Sequence, residues 1–239
     1  VGSNALYVSE VDESDGSIAL YKPAVGILLN VSLDHKSMEE LRQLFGDFLR
    51  QSIATAVNAD DPEAFALADA ATGRVAFGIE ATSADIGVVA DSITFAATSI
   101  AATVVDRRDG SHYPLALAMP GRHNLSNALA AIAGASAAGV PVTDAVRCLA
   151  SFTGLARRFD IIGTTRTGIS VIDDFGHNPE KCAATLRTLR QQRGRIIAFF
   201  QPHGYGPLRQ MGAELAETFA RELMPEDIAL MSNPVYFGG

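Results

Sequence analysis

The sequence predicts an α/β protein: a parallel sheet with a small added β-layer, followed by a Rossmann-like region. Three observations carry this. Apolar runs of strand length, such as residues 24–31, are bounded by polar residues and read as strands covered on two faces. Ser37 with Glu40 three residues on forms a capping-box pattern at the start of an amphipathic stretch. Strands and helices then alternate again from residue 169 to residue 231.

Taken in order, Ala5-Leu6-Tyr7-Val8-Ser9-Glu10 reads as a buried strand ending in acid, and residues 24–31 as a second strand. A polar loop, 32–36, leads to the capped helix, whose Leu41, Leu44, Phe45, Phe48 and Leu49 share one face. Between about 74 and 117 the chain is rich in Val, Ile, Thr and Phe. Residues 86–95 and 100–105 read as short strands, Asp109-Gly110 supplies a turn, and a small, separate β-layer is expected. Pro120 to Asn124 break the chain before an Ala-rich helix, 126–138. A further helix is expected at 143–150 and a hinge at 151–156. Residues 169–174 form a strand ending in two carboxylates. Asn178 and Pro179 offer an N-cap and a first helical residue for a helix to about 192. A strand at 195–200, a helix at 211–223 and a strand at 227–231 complete a βαβαβ order without G-x-G-x-x-G. The expected division is a first domain at 1–154 and a second at 155–239.

Composition narrows the partners. The net charge of −8 argues against nucleic acid, which needs a basic footprint, but leaves room for a bound nucleotide. Cys148 and Cys182 stand far apart, outside any C-x-x-C pattern, so a reducing cytosol is the expected compartment. No apolar run approaches the ~20 residues of a membrane span. The first residues show no signal-peptide pattern.

Five segments could carry chemistry. Glu10-Val11-Asp12-Glu13-Ser14-Asp15 packs four carboxylates into six residues, suited to a hard cation or, equally, to a solvated turn. Asn30 to His35 follows a strand end, where His35 could ligate a metal or meet a phosphate, or lie plainly on the surface. His123, Asn124 and Asn127 stand near a helix start. There they could border a base, or Asn124 could simply cap the helix. Asp173-Asp174-Phe175-Gly176-His177 places a carboxylate where dinucleotide folds hold ribose hydroxyls, or forms a helix-entry turn. Residues 201–209, with His203, Tyr205 and Arg209 among Gly and Pro, read as a binding loop or a turn cluster. Four of the five are expected just past strand C-terminal ends, where open α/β sheets bind ligands.

Together these strings resemble the Mur ligase family, and within it the alanine-adding branch. Residues 10–15 resemble E-A-D-E-S-D, and 30–35 resemble N-I-x-x-D-H. Residues 120–128 are similar to the adenine-side G-x-H-N-x-x-N-A, and 157–160 match R-R-F-D. Residues 173–179 resemble D-D-Y-G-H-H-P, and 201–203 match Q-P-H. Six matches stand in family order across nearly the whole chain. The resemblance implies a partial central ATPase domain and a partial C-terminal domain. It implies ATP-dependent joining of an amino acid, L-alanine, to UDP-N-acetylmuramate through an acyl phosphate, in bacterial cytoplasmic peptidoglycan precursor synthesis. It further implies ATP and Mg²⁺, with Glu10 at the Mg²⁺ by the γ-phosphate, His35 at a second Mg²⁺, and His123, Asn124 and Asn127 at the adenine. Arg158 would lie by the phosphates, Asp174 at the ribose, His177 by the reacting phosphate, and His203 and Arg209 by the amino acid. His35, Arg158 and His177 are thus the expected catalytic set.

The chain departs from the pattern in places. Nothing in it matches the family's G-x-x-G-K-[ST] phosphate loop, so it is expected to be a fragment, also short of the uridine-nucleotide domain and inactive alone. Phe175 and Asn178 replace Tyr and His, and Gly204 and Pro207 stand where the amino-acid loop carries arginines. A related ligase with another acceptor or amino acid, or a non-catalytic nucleotide-binding homologue, therefore stays open.

Overall fold

The computed structural model describes residues 6–13, 16–32, 36–69, 71, 73–96, 98–191, 194–202 and 204–234. The parallel part of its main sheet is built from strand–helix–strand units. β1 (Val25–Leu28) leads through α1 (Met38–Gln51) to β2 (Ala54–Asn58), and α2 (Pro62–Leu67) leads on to β3 (Arg74–Phe77). The three strands run parallel, with Ile27 opposite Ala56 and Val57 opposite Ala76. α1 starts as its sequence requires. Ser37 accepts from the Glu40 N–H, and the Glu40 carboxylate accepts from the Ser37 N–H at 3.0 Å. Its apolar face brings Leu41, Phe48 and Leu49 against Leu28, Val31 and Val57. Each such buried side chain contributes about 1.5–3 kcal/mol.

β4 (Ile86–Val88) pairs parallel to β3 and antiparallel to β6 (Ile100–Asp106). β5 (Thr94–Phe95) and β7 (Ser111–Leu117) also pair with β6. The added β-layer thus continues the parallel sheet as one seven-stranded sheet, ordered β1-β2-β3-β4-β6-β5 with β7 on β6, and is not detached. The turn at Asp109-Gly110 is as expected, with Gly110 at φ 77°.

α3 (Arg122–Ala137) begins four residues before the expected start at Ser126, and α4 (Val142–Leu149) follows. β8 (Asp160–Thr164), which the sequence reading lacks, forms an antiparallel pair with β9 (Ser170–Asp173). α5 (Pro179–Arg190) is capped by Asn178, which accepts from the Lys181 N–H. β10 (Ile197–Phe200) and β11 (Ile228–Met231) pair parallel around α6 (Tyr205–Glu222). The βαβαβ order holds, but among the described residues β9 pairs with β8 and not with β10. α5 packs on α6, where Arg187 donates twice to Glu222 at 3.0 and 2.6 Å.

Leu6 to Glu10 correct the expectation of a buried first strand. They are irregular and exposed, Tyr7 at 89% and Val8 at 90%. Apolar composition alone does not make a strand where no described strand offers a ladder. The chain divides into two compact units, one of residues 1–92, 103–114 and 126–148, the other of 93–102, 115–125 and 149–239. β6, β7 and α3 run from one unit into the other. No helix among the described residues is long and apolar enough to cross a membrane.

Candidate functional site

In the second unit, Asp174 joins two of the motifs. Just past the end of β9, it accepts the Phe159 N–H through Oδ2 at 2.8 Å and the Gly176 N–H through Oδ1 at 2.7 Å. A Cβ on Gly176 would come within 2.9 Å of Asp174 Oδ1, so the glycine permits this approach. Phe175 returns a bond by donating its N–H to the Arg157 carbonyl at 2.8 Å. The 157–159 turn is thereby fixed to the 173–177 segment. The turn bends sharply, with Arg157 at φ 61° and Phe159 at φ 51°, and buries the Phe159 side chain.

Cations gather on Phe175. The Arg157 and Arg158 guanidinium carbons lie 4.8 and 5.7 Å from the ring centroid, within cation–π range. The His177 ring meets the same ring edge-on at 5.3 Å. Arg157 Nε also approaches Asp173 at 3.7 Å. His177 Nδ1 sits 3.1 Å from the Phe175 carbonyl oxygen, and Lys181 Nζ lies 3.4 Å from His177 Nε2. Sequence reading assigned no role to Arg157, Phe175 or Lys181. The spacing of His177 and Lys181 was the available signal for the last.

His123 belongs to this unit as well. Solvent reaches it, yet packed protein around the ring draws its pKa below the ordinary imidazole range, while Asp174 pulls the other way. Asn124 does not cap α3: it is the third residue of the helix, and its side-chain amide donates to the Pro120 carbonyl at 2.7 Å. Gly121, at φ 96°, has no room for a side chain, since a Cβ would stand 2.7 Å from His123 Cε1 and 2.8 Å from Thr188 Oγ1. Below the 173–177 segment, burial and then Asp174 push the Cys182 thiol up to about 11.

The other expected residues lie elsewhere along the chain. Glu10 is an exposed carboxylate on irregular chain in the first unit, so its motif does not follow a strand end among the described residues. Asn127 is exposed on α3 in the first unit. Arg209 is exposed on α6, not on a loop, because the helix starts at Tyr205. His35 and His203 lie outside the described residues. No three His, Cys, Asp or Glu side chains converge as a metal cage among the described residues. At the strand ends of the first unit, Asp61 accepts from Val31 N–H at 3.4 Å and Asn58 donates to the Leu29 carbonyl at 2.9 Å, tying β1 to β2. An apolar cavity of about 590 Å³, lined by Phe200, Phe219, Leu223, Met224, Leu230 and Met231, shares no residue with these motifs.

Residues 4–135 match the Mur ligase middle domain, and residues 157–227 match the Mur ligase glutamate ligase domain. The chain belongs to the Mur ligase family. Within that family it is 37% identical over 236 residues to the UDP-N-acetylmuramate–L-alanine ligase of Clavibacter michiganensis subsp. michiganensis, covering 96% of this chain and 48% of the relative. It is 35% identical to the enzyme of the same name from Streptomyces coelicolor, covering 92% and 50%. The chain thus spans about half the length of the curated relatives it matches. In fold it resembles the Thermotoga maritima UDP-N-acetylmuramate–alanine ligase MurC, at a TM-score of 0.71 and 24% identity over 92% of this chain and 54% of that one. It also resembles Acinetobacter baumannii MurF, at a TM-score of 0.75 and 22% identity over 91% and 48%. The α/β architecture read from the sequence is therefore that of the Mur ligases.

Proposed function

We propose that these residues form the nucleotide- and amino-acid-handling part of an ATP-dependent amide ligase, which joins L-alanine to UDP-N-acetylmuramate in peptidoglycan precursor synthesis in the bacterial cytoplasm. The observation that carries the reading is the Asp174 clamp. It sets two family motifs, R-R-F-D and D-D-F-G-H, side by side with Arg157, Arg158 and His177 around one aromatic ring. In such a ligase a substrate carboxylate takes the γ-phosphoryl group of ATP, and the amino-acid nitrogen displaces phosphate from the acyl phosphate. Little covalent chemistry falls to the protein, so positioned cations matter most. Arg158 would face phosphate oxygens, with Arg157 beside it, and His177 would lie by the reacting group.

The remaining roles follow the same reading. His123, Asn124 and Asn127 would border the adenine, His123 as a neutral ring. Asp174 would take ribose hydroxyls with the lone pairs its two N–H partners leave free. His203 and Arg209 would serve the amino acid. The domain boundary would fall at residue 154, between a partial ATP-binding domain and a partial amino-acid-binding domain that also lends Arg158, Asp174 and His177 to the nucleotide. For Mg²⁺ the residues fit: the exposed Glu10 carboxylate is a hard oxygen donor, and Mg²⁺ needs only one or two carboxylates besides water and phosphate oxygens. Glu10 would hold the Mg²⁺ at the γ-phosphate and His35 would serve a second Mg²⁺; when bound, they would neutralise charge on the phosphates.

The amino acid is the part open to a second reading. Residues 204–208 bear no cation, and from Tyr205 they are helical, which favours a different amino acid or acceptor over alanine. The test is ATP-dependent phosphate release by the gene product carrying these residues, with Mg²⁺, UDP-N-acetylmuramate and a panel of amino acids. Turnover with L-alanine supports the first reading, and turnover only with another amino acid supports the second. No turnover, with ATP still bound, would leave a nucleotide-binding homologue and defeat both.

A further inference from the structure

His177 and Lys181 flank the start of α5. Lys181 is the third residue of that helix, where the positive helix end disfavours a cation. Helical side chains lean toward the N-terminus, which carries Nζ back to His177. The contacts of the ring fix its chemical form. Nδ1 faces the Phe175 carbonyl oxygen at 3.1 Å, and a carbonyl can only accept, so Nδ1 carries the hydrogen. Nε2 faces the Lys181 ammonium at 3.4 Å, and an ammonium can only donate, so Nε2 offers its lone pair. Both partners demand the same neutral tautomer. An imidazolium would turn a second N–H against the ammonium.

We propose that Lys181 is a positioning residue for His177: its ammonium holds the neutral ring in the Nδ1–H tautomer and keeps Nε2 an acceptor aimed at a primary ammonium. The chemical consequence rests on the ligase reading, while the tautomer does not. An amino-acid substrate arrives as an ammonium and must lose a proton before its nitrogen can attack. Where that ammonium takes the place of Nζ, the proton passes from the substrate nitrogen to Nε2. The N–H bond breaks, an Nε2–H bond forms, and the substrate nitrogen keeps its lone pair. His177 then acts on the amine rather than as a donor to phosphate. Lys181 is the cation at the His177 ring, Arg157 and Arg158 lie over the Phe175 ring that His177 also meets, and the carboxylates of the same segment are Asp173, beside Arg157, and Asp174, on the Gly176 N–H.

Long-range ¹H–¹⁵N NMR of the histidine rings in the 239-residue chain tests this, at alkaline pH and with His177→Gln to assign its signals. The expected result is a single tautomer, protonated at Nδ1. Lys181→Met should convert it to a mixture with substantial Nε2–H, and Lys181→Arg should restore the Nδ1–H form. Matching backbone spectra would show that the variants fold. An Nε2–H ring in the unmodified chain, or an unchanged tautomer in Lys181→Met, would overturn the proposal. No nucleotide or amino acid is present in this measurement, so its outcome and that of the ligase assay are separable.

Discussion

Phe159 donates its backbone N–H to Asp174 across fifteen residues of chain, at 2.8 Å. The bond holds the only described segment in which two non-glycine residues take left-handed backbone angles, and it ties the paired arginines to the end of β9.

Asp174→Ala should therefore destabilise the chain measurably. It leaves the Phe159 and Gly176 N–H groups without their acceptor, at roughly 1–3 kcal/mol each when such groups stay buried, and both are only partly so. A loss of about 2–4 kcal/mol in urea unfolding is expected on that principle, and less for Asp174→Asn, which keeps one acceptor. A change within about 0.5 kcal/mol, the scale of a neutral surface substitution, would show that the clamp bears no stability.

Gly121→Ala tests the packing at the start of α3. The left-handed backbone costs an L-residue about 1–2 kcal/mol, and the new Cβ would press on His123 and Thr188. A lowered Tm together with shifted His123 resonances is the expected outcome; an unshifted ring at wild-type stability would contradict the geometry.

His123 should titrate below the ordinary imidazole pKa of about 6.5, because surrounding protein disfavours its charge. The sign for stability follows. The unfolded chain takes up this proton at a higher pH than the folded chain does, so the contribution is full above about 6.5 and is lost as pH falls toward the folded value. His123→Gln should flatten that part of the acid-side slope. An NMR titration midpoint at or above the ordinary value would refute the assignment.

The two thiols should react very differently. Cys182 is buried and its thiol is pushed up to about 11, so at pH 8 almost none is thiolate, whereas Cys148 is exposed. Iodoacetamide under native conditions should label Cys148 first, as read by peptide mass spectrometry, and Cys182 only on unfolding. Equal labelling of both would mean that the 173–182 region opens readily.

What could be read in advance was local. The caps Ser37 and Asn178 are legible because a side chain and the next turn of backbone decide them. The start of α6 was hidden by Gly204, Gly206 and Pro207, which look like loop residues; yet Pro207 falls in the first helical turn, where its missing N–H is not needed. β8 exists by pairing with β9, the next strand along, while the irregular 6–10 run has no strand pairing among the described residues, and composition does not reveal partners. The site divides likewise. Asp174, Arg158 and His177 stand out by motif, but the clamp that joins them is a pairing between distant backbone groups. Lys181 belongs to no motif, and only its spacing from His177 points to it.

The bend around Arg158 has a consequence for engineering. Arg157 occupies backbone space that glycine or asparagine fills more easily. A library screened for heat tolerance alone should therefore accumulate Arg157→Gly or Arg157→Asn, relaxing the turn and removing the guanidinium from Phe175. On the ligase reading proposed above, selection for robustness and selection for turnover would pull this position in opposite directions, and sequencing survivors of the two screens in parallel would reveal the conflict.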